Sequence, residues 1–260
     1  MARKVVSILL PALLSVTSPA LAETPPSTIV LVHGAFADSS SWGLVIDQLQ
    51  SDGYAVIAAA NPLRSVPEDA ASVAALLGTI KGPVILVGHS YGGVLISNAV
   101  QGNADIRALV YVSAFAPEQG ESAFQLTGQF PGSQLGAAVL PAPLGGENAD
   151  LYIDAGKFRD VFAADLPQAD VVRMALTQRP VTQAALTGVS GVPAWKTLPS
   201  WFVYGDADQA IPAAALGFMA ERAESVHTVV VKGASHALLV SDPKAVVDVI
   251  EEAAAATVKN

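Results

Sequence analysis

Along the chain, short runs of consecutive apolar residues alternate with stretches whose apolar positions recur at helical spacing. The runs are TIVLVHG (28–34), YAVIAAA (54–60), PVILVGH (83–89), ALVYVSA (108–114), WFVYGD (201–206) and HTVVVKG (227–233). Near-continuous apolar runs of this length suit strands covered on both faces, as in a parallel sheet. Trp42 to Leu49 and Ala70 to Leu77 carry helical spacing between the early runs, and Pro243 to Ala255 follows the last run. Strand, helix, strand in this cadence predicts an α/β fold with a mostly parallel, doubly wound sheet of about six strands.

One interval breaks the cadence. From about Ser122 to Leu198 no strand is evident. A Pro/Gly-rich excursion, QFPGSQLGAAVLPAPLGGE, leads into helical pieces around DLYIDAGKFRDVFAADL, QADVVRMALTQ and VTQAALTG. Long structureless loops are uncommon in compact domains, so residues 122–198 are expected to form a helical cap inserted before the strand at 201–206. The core is then 23–121 together with 199–260. Phe124, Phe130, Leu140, Tyr152, Phe158, Phe162 and Met174 could roof an apolar pocket or pack the cap onto the body.

The first 22 residues, MARKVVSILLPALLSVTSPALA, form a basic start, an apolar run and a small-residue A-x-A end. That is the pattern of a secretory signal peptide, with cleavage expected after Ala22 and a secreted or periplasmic location. Pro11 and Ser15 break the run before it reaches the length of a membrane span, so no membrane association is expected after cleavage. Losing Arg3 and Lys4 moves the formal net charge from −9 to −11. Such a surface repels phosphate backbones, so nucleic acid is not an expected partner. With no cysteine in the chain, thiolate catalysis and cysteine zinc sites are excluded and packing alone must hold the core.

Candidate chemistry centres on VGHSYGG, Val87 to Gly93. Gly88-His89-Ser90-Tyr91-Gly92 fits G-x-S-x-G and lies between an apolar strand and a helix-like segment. A serine at so sharp a turn has strained backbone angles, and the glycines on either side leave room for the turn. Its hydroxyl needs a base, and the base needs an acid to orient it. Of four histidines, His33 and His89 are fixed in glycine-flanked turns, and His227 starts a strand at the opposite edge. His236 follows the final strand at the same carboxyl edge as Ser90. Asp206 and Asp208, on the loop leaving the preceding strand, are the candidate acids in the chain order Ser, Asp, His. A tetrahedral intermediate also needs two donors. The N–H of Tyr91 is one, and the HGAF loop after the first strand offers Ala35 or Phe36 as the other.

With elbow, HG loop, acid loop and late histidine in this order, the chain resembles the α/β-hydrolase fold superfamily from Ile29 to Ala255. LVHGAFADSSSW, LVGHSYGG, YVSAFAPEQGES, DADQAIP and SHALLVSDP are similar to the branch that holds small serine carboxylesterases, plant methyl esterases and hydroxynitrile lyases. In that branch the acid stands in a D-x-x-I-P arrangement, which implies Asp208, and the matching loop donor falls on Ala35, with Phe36 beside it. The lyases carry a lysine after the histidine and a threonine after the first-strand histidine. Ala237 and Gly34 stand there instead, which implies an esterase.

The resemblance thus implies a serine hydrolase acting on small-molecule carboxylic esters through an acyl-enzyme, as a monomer or homodimer. A perhydrolase, haloperoxidase or acyltransferase would use the same triad with another nucleophile, and a non-catalytic binding protein could keep the fold. No cofactor or metal is implied, because the histidines lack ligand spacing and no G-K-[ST] follows the glycines.

Overall fold

The computed structural model describes residues 27–100, 105–146 and 148–257. The signal-peptide reading of residues 1–22 lies outside the described residues. In chain order the strands are β1 (Thr28–Val32), β2 (Ala55–Ala59), β3 (Val84–His89), β4 (Ile106–Val112), β5 (Val139–Gly145), β6 (Asn148–Ile153), β7 (Val181–Thr182), β8 (Ser200–Gly205) and β9 (His227–Val231). Six of them form one sheet in the order β2-β1-β3-β4-β8-β9, every pair parallel. Each coincides with one of the six apolar runs, though several runs outlast their strand. The strand of TIVLVHG stops at Val32, and the chain turns at Ala35 and Phe36.

Two-sided burial explains why the runs of the inner strands β1, β3, β4 and β8 lack polar alternation. Val30, Val32, Leu86 and Tyr111 face one core, shared with helices Val66–Leu77, Gly92–Asn98 and Ala213–Arg222. Ile29, Leu31, Ile85, Val87 and Val110 face a second core, covered by helices Gly43–Ser51 and Pro243–Thr257. The strand order reverses between β1 and β3: from β1 the chain moves outward to β2, then returns to β1's other side as β3. The carboxyl ends of β1 and β3 therefore open a crevice, the place where α/β sheets bind ligands.

The expectation that no strand occurs in 122–198 is corrected. The insert between β4 and β8 has helices Ala123–Gln129, Leu135–Ala138, Phe158–Phe162, Gln168–Thr177 and Gln183–Thr187, and also an antiparallel sheet in the order β5-β6-β7. Two features hid it. Most of β5 is exposed, so it carries no buried apolar run. It also contains Pro141 and Pro143, which cannot donate to a ladder. Two residues apart on a strand, they direct their missing donors to the same side, and β5 is an edge strand with one side free.

Candidate active site

The chain leaves β3 and turns into helix Gly92–Asn98 within two residues, at Ser90 and Tyr91. Ser90 has φ 53°, a left-handed conformation rare outside glycine. Hydrogen bonds hold it there: its N–H donates to Val112 O at 3.2 Å, and its carbonyl accepts from Gly93 N at 3.0 Å and Phe115 N at 3.2 Å. The flanking glycines are needed for space. A Cβ at Gly88 would stand 2.7 Å from the Gly92 carbonyl, and one at Gly92 would stand 2.4 Å from Val32 O.

Asp208 and His236 come from loops after β8 and β9 and converge on this turn. His236 Nε2 lies 2.9 Å from Ser90 Oγ, and His236 Nδ1 lies 2.7 Å from Asp208 Oδ2. A carboxylate only accepts, so Nδ1 carries the ring proton and Nε2 is free to accept from the serine hydroxyl. The second carboxylate oxygen of Asp208 accepts from Ala210 N and Ile211 N, each at 2.8 Å, which fixes its rotamer. All three side chains are buried. Asp206 serves the turn instead, accepting from Gly233 N at 2.5 Å. At the crevice, Gly34 lies so close that a Cβ there would meet Ser90 Cβ at 2.6 Å. The N–H groups of Ala35, Phe36 and Tyr91 donate to no protein atom among the described residues, and all three residues border the same cavity. Phe36 also has a left-handed φ, 60°.

The other histidines are engaged elsewhere. His33 is buried, with Nδ1 2.9 Å from Gly34 O and Nε2 accepting from Asn61 N at 3.2 Å, and burial lowers its pKa. His89 donates through Nε2 to His236 O at 3.0 Å. Burial, and then the His236 ring beside it, push its pKa well below the ordinary 6.5, so it packs as a neutral ring. His227 is exposed and pairs with Glu252 Oε2 at 2.7 Å.

Sequence reasoning missed the residues behind these groups. Asn61 anchors His33, donating through Nδ2 to His33 O at 2.8 Å. Tyr91 donates its hydroxyl to Asp69 Oδ2 at 2.9 Å. Burial and the Asp69 carboxylate raise the Tyr91 pKa, and burial raises that of Asp69. No spacing rule links positions 69 and 91, and Asp69 stands among the acidic residues common in a helix's first turn.

A cavity of about 750 Å³ opens over Ser90 and His236. Phe115 and Ile211 line it from the body, and Phe124, Phe130, Leu135 and Leu186 from the insert; among the described residues no Asp, Glu, Lys or Arg borders it. Of the seven apolar residues singled out in the insert, Phe124, Phe130 and Phe162 border this cavity. Phe158 is core, Leu140 is exposed, Tyr152 is elsewhere, and Met174 lines a separate groove.

The sequence matches the model of the alpha/beta hydrolase family over residues 29–249. It is 28% identical over 248 residues to the alpha/beta hydrolase nvfD of Aspergillus novofumigatus, covering 87% of this chain and 96% of that one. A shorter stretch of 44 residues is 54% identical to the carbendazim hydrolyzing esterase of a Nocardioides species, covering 16% of this chain and 18% of that one. Among solved structures, polyneuridine aldehyde esterase shares the fold with a TM-score of 0.76 at 16% identity, covering 87% of this chain and 98% of that one.

Proposed function

This chain belongs to the alpha/beta hydrolase family, and from that premise we propose that it is a serine esterase cleaving carboxylic esters of small to medium apolar substrates. The observation that carries the reading is the hydrogen-bonded line from Ser90 Oγ through His236 to Asp208, at 2.9 and 2.7 Å.

In this reading Ser90 Oγ attacks the ester carbonyl as its proton passes to His236 Nε2, and Asp208 steadies the imidazolium. The N–H of Tyr91 and one from the Ala35–Phe36 pair hold the oxyanion, each such donor contributing roughly 3 kcal/mol. His236 returns the proton to the departing alcohol, leaving Ser90 acylated. Water then attacks the acyl group as its proton passes to His236, which hands that proton to Ser90 Oγ as the Oγ–acyl bond breaks and the acid leaves. An apolar cavity without charged residues supports an uncharged substrate, since a substrate charge would lose its hydration without finding a partner. The leader-like residues 1–22 support a secreted or periplasmic location.

The test is Ser90→Ala on a short p-nitrophenyl ester. We expect kcat to fall by at least about 10³-fold with the circular dichroism spectrum unchanged. Undiminished turnover contradicts the reading.

A further inference from the structure

The segment carrying His236 runs from the end of β9 to the short helix Leu238–Ser241 and has two sets of supports. One belongs to the body: Ala234 O accepts from Ala207 N at 3.2 Å, next to the acid loop, and His236 O accepts from His89 Nε2 at 3.0 Å. The other belongs to the insert, from which two residues, Asp165 and Phe162, reach both neighbours of His236 and the imidazole itself. On one side, Asp165 Oδ1 accepts from Ser235 Oγ in a very short contact, and Asp165 Oδ2 accepts from Ser235 N at 3.1 Å. On the other side, Phe162 O accepts from Ala237 N at 2.9 Å. Between them, the Phe162 ring meets the His236 ring edge-on, with centroids 4.8 Å apart at 80°.

Ser235, His236 and Ala237 are all buried, whereas Asp165 lies at the surface of the insert. Burial pushes the Asp165 carboxyl up, and hydrogen bonds, that of the Ser235 hydroxyl first among them, more than offset it, so the group stays ionised as a double acceptor at neutral pH. A residue placed only to roof a cavity has no need to grip the chain on both sides of the base.

We propose that the insert is the mount of His236, with Asp165 as a positioning residue that sets the height of the Ser235–Ala237 backbone and so the reach of Nε2 to Ser90. The inference rests on the esterase reading for its effect on rate. Its effect on geometry stands apart, because displacing the imidazole lengthens the Nδ1 bond to Asp208 whatever the enzyme does. A displacement of about 1 Å is enough to cost on the order of 10²-fold in rate.

The test compares wild type with Asp165→Ala and Asp165→Asn, the second keeping one acceptor oxygen. For each protein, kcat and KM on a p-nitrophenyl ester, the rate of fluorophosphonate labelling, the low-field proton resonance of the His236–Asp208 hydrogen bond and the melting temperature are measured. Asp165→Ala is expected to lower kcat and the labelling rate at least about tenfold. KM should stay within about twofold, the resonance should shift, and the melting temperature should change little. Asp165→Asn should fall between that variant and wild type, and it carries the test if Asp165→Ala fails to fold. Unchanged kcat and an unmoved resonance overturn the mount. So does a loss of rate in Asp165→Asn matched by a collapse of the melting temperature, since the residue would then be a fold staple. If wild type does not label at Ser90 but the resonance still shifts in Asp165→Ala, the mount stands and the esterase reading falls.

Discussion

At the turn between β3 and helix Gly92–Asn98, backbone meets backbone. Gly88 abuts the Gly92 carbonyl, Gly92 abuts Val32 O, and Ser90 is tied by both its N–H and its carbonyl. In the insert that faces this turn across the cavity, side chains share the holding with a few backbone bonds such as Ala237 N to Phe162 O and Thr182 N to Leu63 O. Arg64 of the body reaches Asp150 Oδ1 at 2.7 Å and Pro180 O at 3.0 Å, and Asp165 reaches Ser235. Backbone contacts of the first kind have few sequence solutions, since only the absence of a Cβ permits them. Contacts of the second kind have many, so the insert is free to vary in what it admits to the cavity while the turn is not.

One substitution made in both places separates the two regimes. Gly92→Ala puts a Cβ 2.4 Å from a backbone oxygen that has nowhere to go. We expect a loss of at least about 3 kcal/mol, seen as a large drop in the urea midpoint. Gly128→Ala, in helix Ala123–Gln129 at the cavity wall, meets no heavy atom within 4 Å. It should stabilise the protein by about 0.5 kcal/mol through helix propensity. Equal effects from the two changes would erase the distinction.

Between these extremes lies a dependence on acid. His33 and His89 are buried in the body beside the turn, and the insert contains no histidine. Burial depresses both pKa values below 6.5, so the folded state refuses protons that the unfolded chain accepts. Stability from this source is fully present above pH 6.5 and falls as pH drops below it, by at most about 1.4 kcal/mol per pH unit for each ring. Urea midpoints at pH 7 and pH 5 should show the loss. His89→Gln, which keeps a donor toward His236 O, should make it shallower, and an unchanged slope would remove His89 from the account.

The same contrast governs what was legible in the sequence. The inner strands β1, β3, β4 and β8 were visible because burial on both faces leaves an unbroken apolar run, and the half-buried edge strands β2 and β9 because their residues are mostly apolar or β-branched. The convergence of Ser90, Asp208 and His236 was visible because their loops follow sheet strands in a fixed order. The sheet β5-β6-β7 was not, since its longest strand is exposed and carries two prolines at a free edge. Nor were the supports of the site: Asp69 behind Tyr91, Asn61 behind His33 and Asp165 behind Ser235 act across separations of 22, 28 and 70 residues with no motif to mark them.

The central claim is that the strained serine at the turn is the nucleophile, and covalent capture tests it most directly. After treatment with a fluorophosphonate, intact-mass measurement should show one adduct per chain. Peptide mapping should place it on Ser90, with the adduct absent in Ser90→Ala and its formation slowed by at least about 10³-fold in His236→Ala. Labelling that persists in Ser90→Ala, or ester turnover by a wild-type protein that never acquires the adduct, would contradict the account.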